Sequence, residues 1–129
     1  MLLFPDFADC FLREVDGAVV LDLTVVAHQV LRSVDPAAGE VIVYGELVSE
    51  QRSQIDCLQR VKVDVYGPSL SVTRDVARVL NSSFVGEGVQ VGPGFFDVVR
   101  SDQGPALSHS PGLKSFCFSF DLSAVSRPV

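Results

Sequence analysis

Apolar residues at Phe4, Phe7, Phe11 and Val15 recur at steps of three and four, and Ala8 and Leu12 widen the stripe. That is the period of a helix with one buried face. Asp6 can cap the first turn and Gly17 can end the last, so the pattern predicts a helix over about 6–16. Residues 18–26, AVVLDLTVV, are rich in β-branched side chains and read as a strand. From Ala27 to Gly39 no period is legible, and the segment is taken as a connection closed by Asp35-Pro36.

Two strands then flank a polar turn: VIVYGELV at 41–48, SEQRSQ, and DCLQRVKVDVY at 56–66. In the second, Val61, Val63 and Val65 alternate with Arg60, Lys62, Asp64 and Tyr66, as in a half-buried antiparallel strand. The pair reads as a β-hairpin with a long arm. After Gly67-Pro68, Ser69 can cap a helix over about 70–82 whose stripe is Leu70, Thr73, Val76, Ala77, Leu80 and Phe84. GEGVQVGPG, 86–94, is glycine-rich and reads as a turn or flexible connection. FFDVVR at 95–100 and KSFCFSFDL at 114–122 read as strands, the latter placing Phe116, Phe118, Phe120 and Leu122 on one face. The polar segment between them, 101–113, reads as a surface loop, and 123–129 as a frayed tail. This order predicts one α+β domain over 1–129: an antiparallel or mixed sheet of about four to five strands, two helices on one face and the hairpin arm.

Composition changes the picture little. A chain of 129 residues with 47% hydrophobic and 20% charged residues has the usage of a folded domain, and its length argues against a two-domain enzyme. Charge matters more: the net value of −6 disfavours tight nucleic-acid binding, and residues 1–50 hold nine acids against two bases. Such asymmetry can give an acidic face, which matters if copies associate. Cys10, Cys57 and Cys117 form no CxxC pair and leave one thiol over in any disulfide scheme, which fits a reducing compartment. The start lacks a basic segment and a long apolar core, and no apolar run approaches the ~20 residues of a membrane helix. The expectation is a soluble protein, made in the cytoplasm, with no membrane contact.

Candidate chemistry is sparse. His28 and His109 have no nucleophile-elbow motif near them, and the three cysteines and two histidines lack metal-ligand spacing. Gly86, Gly88, Gly92 and Gly94 lack the Lys-Ser/Thr of a phosphate loop. Asp6, Asp9 and Asp16 fall off the phenylalanine stripe, as solvent-facing charge does. No catalytic, metal or cofactor residue is assigned, and the chain is not read as an enzyme. The hairpin tip and the two loops look instead like subunit contacts, because a neighbouring copy can complete sheet edges and protruding hairpins. The assigned interface residues are Glu50, Arg52 and Gln54 at the tip and Gly88 and Gln90 in the glycine-rich segment.

The segment VKVDVYGPSLSVTRDVARVLNSSF, 61–84, resembles the central block of the tail terminator (tail completion) proteins of long-tailed bacteriophages. There an alternating strand runs through a small-residue turn into a helix of the form x-x-A/V-R-D-V-A-x-x-V/L. The element order over 4–122 agrees, while the link 25–39 is longer and more apolar than that family implies. The resemblance implies a homohexameric ring on the last ring of the tail tube. Such a ring stops tube growth, contacts the tube protein on one face and a head-completion stopper or adaptor on the other, and lets DNA cross its lumen without specific binding. It implies a location in the virion neck after assembly in the host cytoplasm, and no catalytic residues. The alternatives are another neck component, or a small α+β ligand-binding domain or enzyme.

Overall fold

The computed structural model of the chain describes residues 3–28, 36, 38–108 and 115–129. Helix α1 spans Phe7–Val15. The Asp6 carboxylate accepts from the Asp9 amide at 3.1 Å, and Gly17, just past the last turn, takes φ +78. The single strand expected over 18–26 is two: β1 (Val19–Val20) and β2 (Leu23–His28), antiparallel with Val20 opposite Leu23. Between them Leu21 and Asp22 both have positive φ, +50 and +65, the backbone of the tight hairpin turn that usually calls for Asn-Gly. Lacking those residues, the sequence hid the turn.

Strand β3 covers Glu40–Arg52, longer than the pattern predicts, and β4 covers Cys57–Gly67, one residue on from the predicted 56–66; a four-residue turn at 53–56 joins them. Helix α2 is Leu70–Ser83, with the Ser69 hydroxyl accepting from the Val72 amide at 3.3 Å. Its buried face is Thr73, Val76, Ala77 and Leu80, whereas Leu70 from the expected stripe is 45% exposed. Three further strands complete the chain: β5 (Gly86–Val91), β6 (Gly94–Ser108) and β7 (Phe116–Ser126).

All seven strands belong to one mixed sheet in the order β1-β2-β3-β4-β7-β6-β5, with β2 parallel to β3 and the other pairs antiparallel. Strands take 57% and helices 20% of the described residues, so the fold is a mostly β, curled half-barrel and not a four- to five-stranded α+β layer. Besides the split of 18–26 into β1 and β2, three misread segments account for the difference. Residues 86–94 fold as β5 and a tight turn into β6, with Gly92 at φ +53. The polar run 101–108, expected as loop, continues β6 through register shifts after Ser101 and Gln103. Residues 123–126, expected to fray, finish β7 with Ser123, Ala124 and Ser126 buried. The hairpin is not a free arm either, because β4 pairs with β7 along its whole length, from Cys57–Ser126 to Gly67–Phe116. The remainder of the expected loop, 109–113, lies outside the described residues, as do 29–35 and 37 of the link.

Helix α1 touches β2 and β3 toward one end of the strand order and β5 at the other, so the sheet curls around it. A Cβ on Gly92 would stand 2.7 Å from the Cys10 carbonyl oxygen, and this is why a glycine turn can press against the helix. Phe7 packs edge-on to Phe96 at 5.0 Å between centroids, and Phe11 to Phe84 at 5.6 Å. Gln59 ties the helix start to β4: its Oε1 accepts from the Phe7 amide at 2.7 Å and its Nε2 donates to the Pro5 carbonyl at 2.9 Å. The inward rows Val43–Val65–Phe118 and Gly45–Val63–Phe120 form the floor of the core, where each large apolar side chain contributes about 1.5–3 kcal/mol by leaving water. Among the described residues, no helix is long and apolar enough to cross a membrane.

Candidate interaction surface

The expected interface residues fall on two strands and one turn. Glu50 and Arg52 lie within β3, opposite Gln59 and Cys57, and so point to the helix-bearing side of the sheet. Arg52 Nε donates to Glu50 Oε1 at 2.8 Å, the Cys57 thiol donates to the same oxygen at 3.3 Å, and the guanidinium stands 5.6 Å from the centre of the Phe4 ring. The Arg52 hydrogen bond, then that of Cys57, holds the Glu50 carboxyl below the ordinary value. Burial, then the Glu50 hydrogen bond, pushes the Cys57 thiol up, away from the reactive thiolate. This trio is satisfied within its own chain. Gln54 does lie in the exposed turn 53–56, which the Ser53 hydroxyl organises by accepting from the Ile55 and Asp56 amides.

Gly88 and Gln90 sit in β5, the last strand of the sheet. Gly88 has φ +61, and Gln90 donates to the Gly92 carbonyl at 2.9 Å, which braces the turn into β6. No hydrogen bond joins this pair to Glu50, Arg52 or Gln54 among the described residues, so the five positions form two separate places on the surface. His28 is half-buried in β2, and His109 lies outside the described residues.

The face away from the helices carries what the sequence reading left unassigned. Across it run Glu46–Lys62–Asp121–Gln103 and Tyr44–Asp64–Ser119–Ala106 as cross-strand neighbours. Ser119 donates a short hydrogen bond to Asp64, and Ser123 donates to Asp102 at 3.0 Å. The Tyr44 hydroxyl is pushed up, first by burial and then by the charges of Glu46 and Asp64. Among the described residues Arg60, Lys62 and Arg100 make no ion pair. Arg60 shares a recess of about 140 Å³ with Val48, Val61, Asp102 and Asp121. The alternation around Lys62 signalled this face; the contribution of Asp102 stayed hidden inside a segment read as loop. Ser119 has the Asp64 carboxylate as its neighbour, and among the described residues no histidine hydrogen-bonds to it. Among the described residues, no group of three or more His, Cys, Asp or Glu side chains converges to hold a metal.

The backbone offers more than the side chains. Among the described residues, strand β2 pairs β3 only over Glu40–Tyr44 and nothing else pairs the outer edge of β3 over 45–52. Among the described residues, strand β5 pairs β6 only up to Val99 and nothing else pairs the outer edge of β6 over 100–108. These two edges lie on opposite sides of the sheet. They also lie toward opposite ends of the strands, because Gln51 shares a row with Leu58, Val125 and Val98, whereas Ser108 shares one with Cys117, Tyr66 and Ile42. The sheet is therefore stepped at two diagonal corners. No protein-family model matches the sequence, and no curated protein matches it.

Proposed function

We propose that this chain is a structural subunit of a closed ring at the head-proximal end of a long-tailed phage tail tube. There it ends tube growth and presents the surface to which the head's neck attaches. The carrying observation is the pair of open strand edges on opposite sides of one sheet. Surfaces that differ on the two sides of a subunit associate head to tail, and such contacts close into rings when the rotation allows. The likeness of 61–84 to the tail terminator block supplies the biological setting, and the net charge of −6 suits a lumen through which DNA slides without sticking. Tube protein would meet one face of the ring and a stopper or adaptor the other.

The test is electron microscopy of lysates from a phage or prophage lacking this gene. Overlong tubes beside separate DNA-filled heads are expected. Tails of normal length that fail to join heads would reassign the chain to a stopper or adaptor, and intact virions would overturn the neck reading altogether.

A further inference from the structure

We infer that copies of this chain associate by continuing the sheet, the edge of β3 at 45–52 pairing antiparallel with the edge of β6 at 100–108 of the next copy. The inference rests on the ring reading and names the contact that would build it.

Strand direction makes the first argument. Strands β3, β4, β7 and β6 alternate in sense, so β3 and β6 of one copy run opposite ways. When a second copy is set beside the first with its sheet facing the same way, its β6 meets β3 antiparallel, and the ladder continues as inside the subunit. Length makes the second. Eight residues in one edge and nine in the other extend roughly 26 and 30 Å, so each can cover the other.

The steps supply the geometry. Because the two edges sit at diagonal corners, the neighbour must shift along the strands, so that β2 of one copy stands beyond the end of β6 in the next. A stagger of this kind is what a sheet closing on itself requires. Apolar side chains mark both edges: Val48 is 62% and Leu107 63% exposed, each at a place where a neighbouring strand would cover it. Interruptions fix the register. The bulge between Leu47 and Ser49 on one edge, and the shift over Gly104-Pro105 on the other, leave few alignments in which a ladder can form. Pro105 has no N–H to give, so an arbitrary strand cannot add there.

Two substitutions at exposed edge positions, Val48→Lys and Leu107→Lys, test the pairing by native mass spectrometry and light scattering on the full chain. The unsubstituted protein is expected to form species heavier than one chain, and each variant alone to run as a monomer. Mixing the two variants is the decisive step, since each still carries the edge that the other lacks. Recovery of dimers, with no larger ring, supports β3-to-β6 pairing. Loss of assembly by Val48→Lys alone, with Leu107→Lys unaffected and no recovery on mixing, would mean a two-fold β3-to-β3 contact and overturn the inference. Assembly that survives both substitutions, or a wild type that stays monomeric, would also overturn it; the ring reading would then still stand or fall on tail lengths in the deletion lysate. Circular dichroism melts of both variants within a few degrees of wild type are expected, and a variant that fails to fold is replaced by Ser49→Lys or Ala106→Lys.

Discussion

On the helix side of β4, Val61, Val63 and Val65 are at most 1% exposed, set between Val43 of β3 and Phe120 and Leu122 of β7. One residue along, on the other side of the same strand, Arg60 and Lys62 stand in water beside Glu46 and Asp121. The backbone pairing is the same for both sets, so the hydrogen-bond ladder does not distinguish the faces. What differs is apolar area removed from water, and with it the free energy at stake in each side chain. The convex face and the open edges are therefore free to serve association, since the fold does not depend on their side chains.

The largest expected effect sits on the helix side. Phe120→Ala should destabilise the chain by about 3–5 kcal/mol, because the ring is buried to 1% exposure and its site is walled by strands that cannot collapse inward. Lys62→Ala, one strand over and on the opposite face, should stay within about 0.5 kcal/mol of wild type in urea unfolding. Equal losses from the two would erase the distinction between the faces.

Gly92→Ala comes next, at about 2–4 kcal/mol. Its φ of +53 disfavours any Cβ, and the added atom would meet the Cys10 carbonyl oxygen at 2.7 Å, so either the turn or α1 must move. Gly39→Ala makes the control: its φ is +79, but among the described residues nothing lies within 4 Å of its Cβ position, so thermal melting should show only the backbone part of the cost, about 1–2 kcal/mol.

Gln59→Leu should cost about 1–3 kcal/mol, because it leaves the Phe7 amide and the Pro5 carbonyl without their partner at the start of α1. Thr73→Val should go the other way. The Thr73 hydroxyl is buried with no hydrogen-bond partner among the described residues, so replacing it with a methyl of similar shape should leave stability unchanged or raise it by up to about 1 kcal/mol. A loss from Thr73→Val would show that the hydroxyl is satisfied in solution, and the melting temperature reads this directly.

These residues also mark how far the sequence could be read. The helix at Phe7–Val15, its Asp6 cap, the Ser69 cap and the alternation of Val61, Val63 and Val65 were legible, because each follows from a local period or a local hydrogen bond. The strand count was not. Glycines at 86, 88 and 92 look like loop residues in isolation, yet they build a strand and a turn that α1 covers from a distance in sequence. Gly104-Pro105 likewise signals a loop, but the segment is held by pairing with β7, which no local pattern encodes. Of the interface residues, Glu50 and Arg52 lie on the hairpin as expected, but their contacts to Cys57 across the hairpin and to Phe4 before α1 were not legible, because they depend on strand register and on how the N-terminal segment packs. The open edges are properties of pairing, and pairing is where single-sequence periodicity stops.

The smallest effect concerns that same trio and is read through pH. Glu50 is held below its ordinary value of 4.5 chiefly by Arg52 and next by Cys57. A carboxyl lowered in the folded state binds protons more readily when unfolded, so its stabilisation is complete above the unfolded value and is lost as pH falls through the folded one. The pair is largely in water, so the effect is small and shrinks further with added salt. The melting temperature should therefore fall slightly more between pH 7 and pH 3 in wild type than in Glu50→Gln, and 1 M salt should remove most of that difference. An identical acid response in the two proteins would mean that Arg52 does not hold Glu50 in solution, and that its guanidinium is available to meet a neighbouring copy.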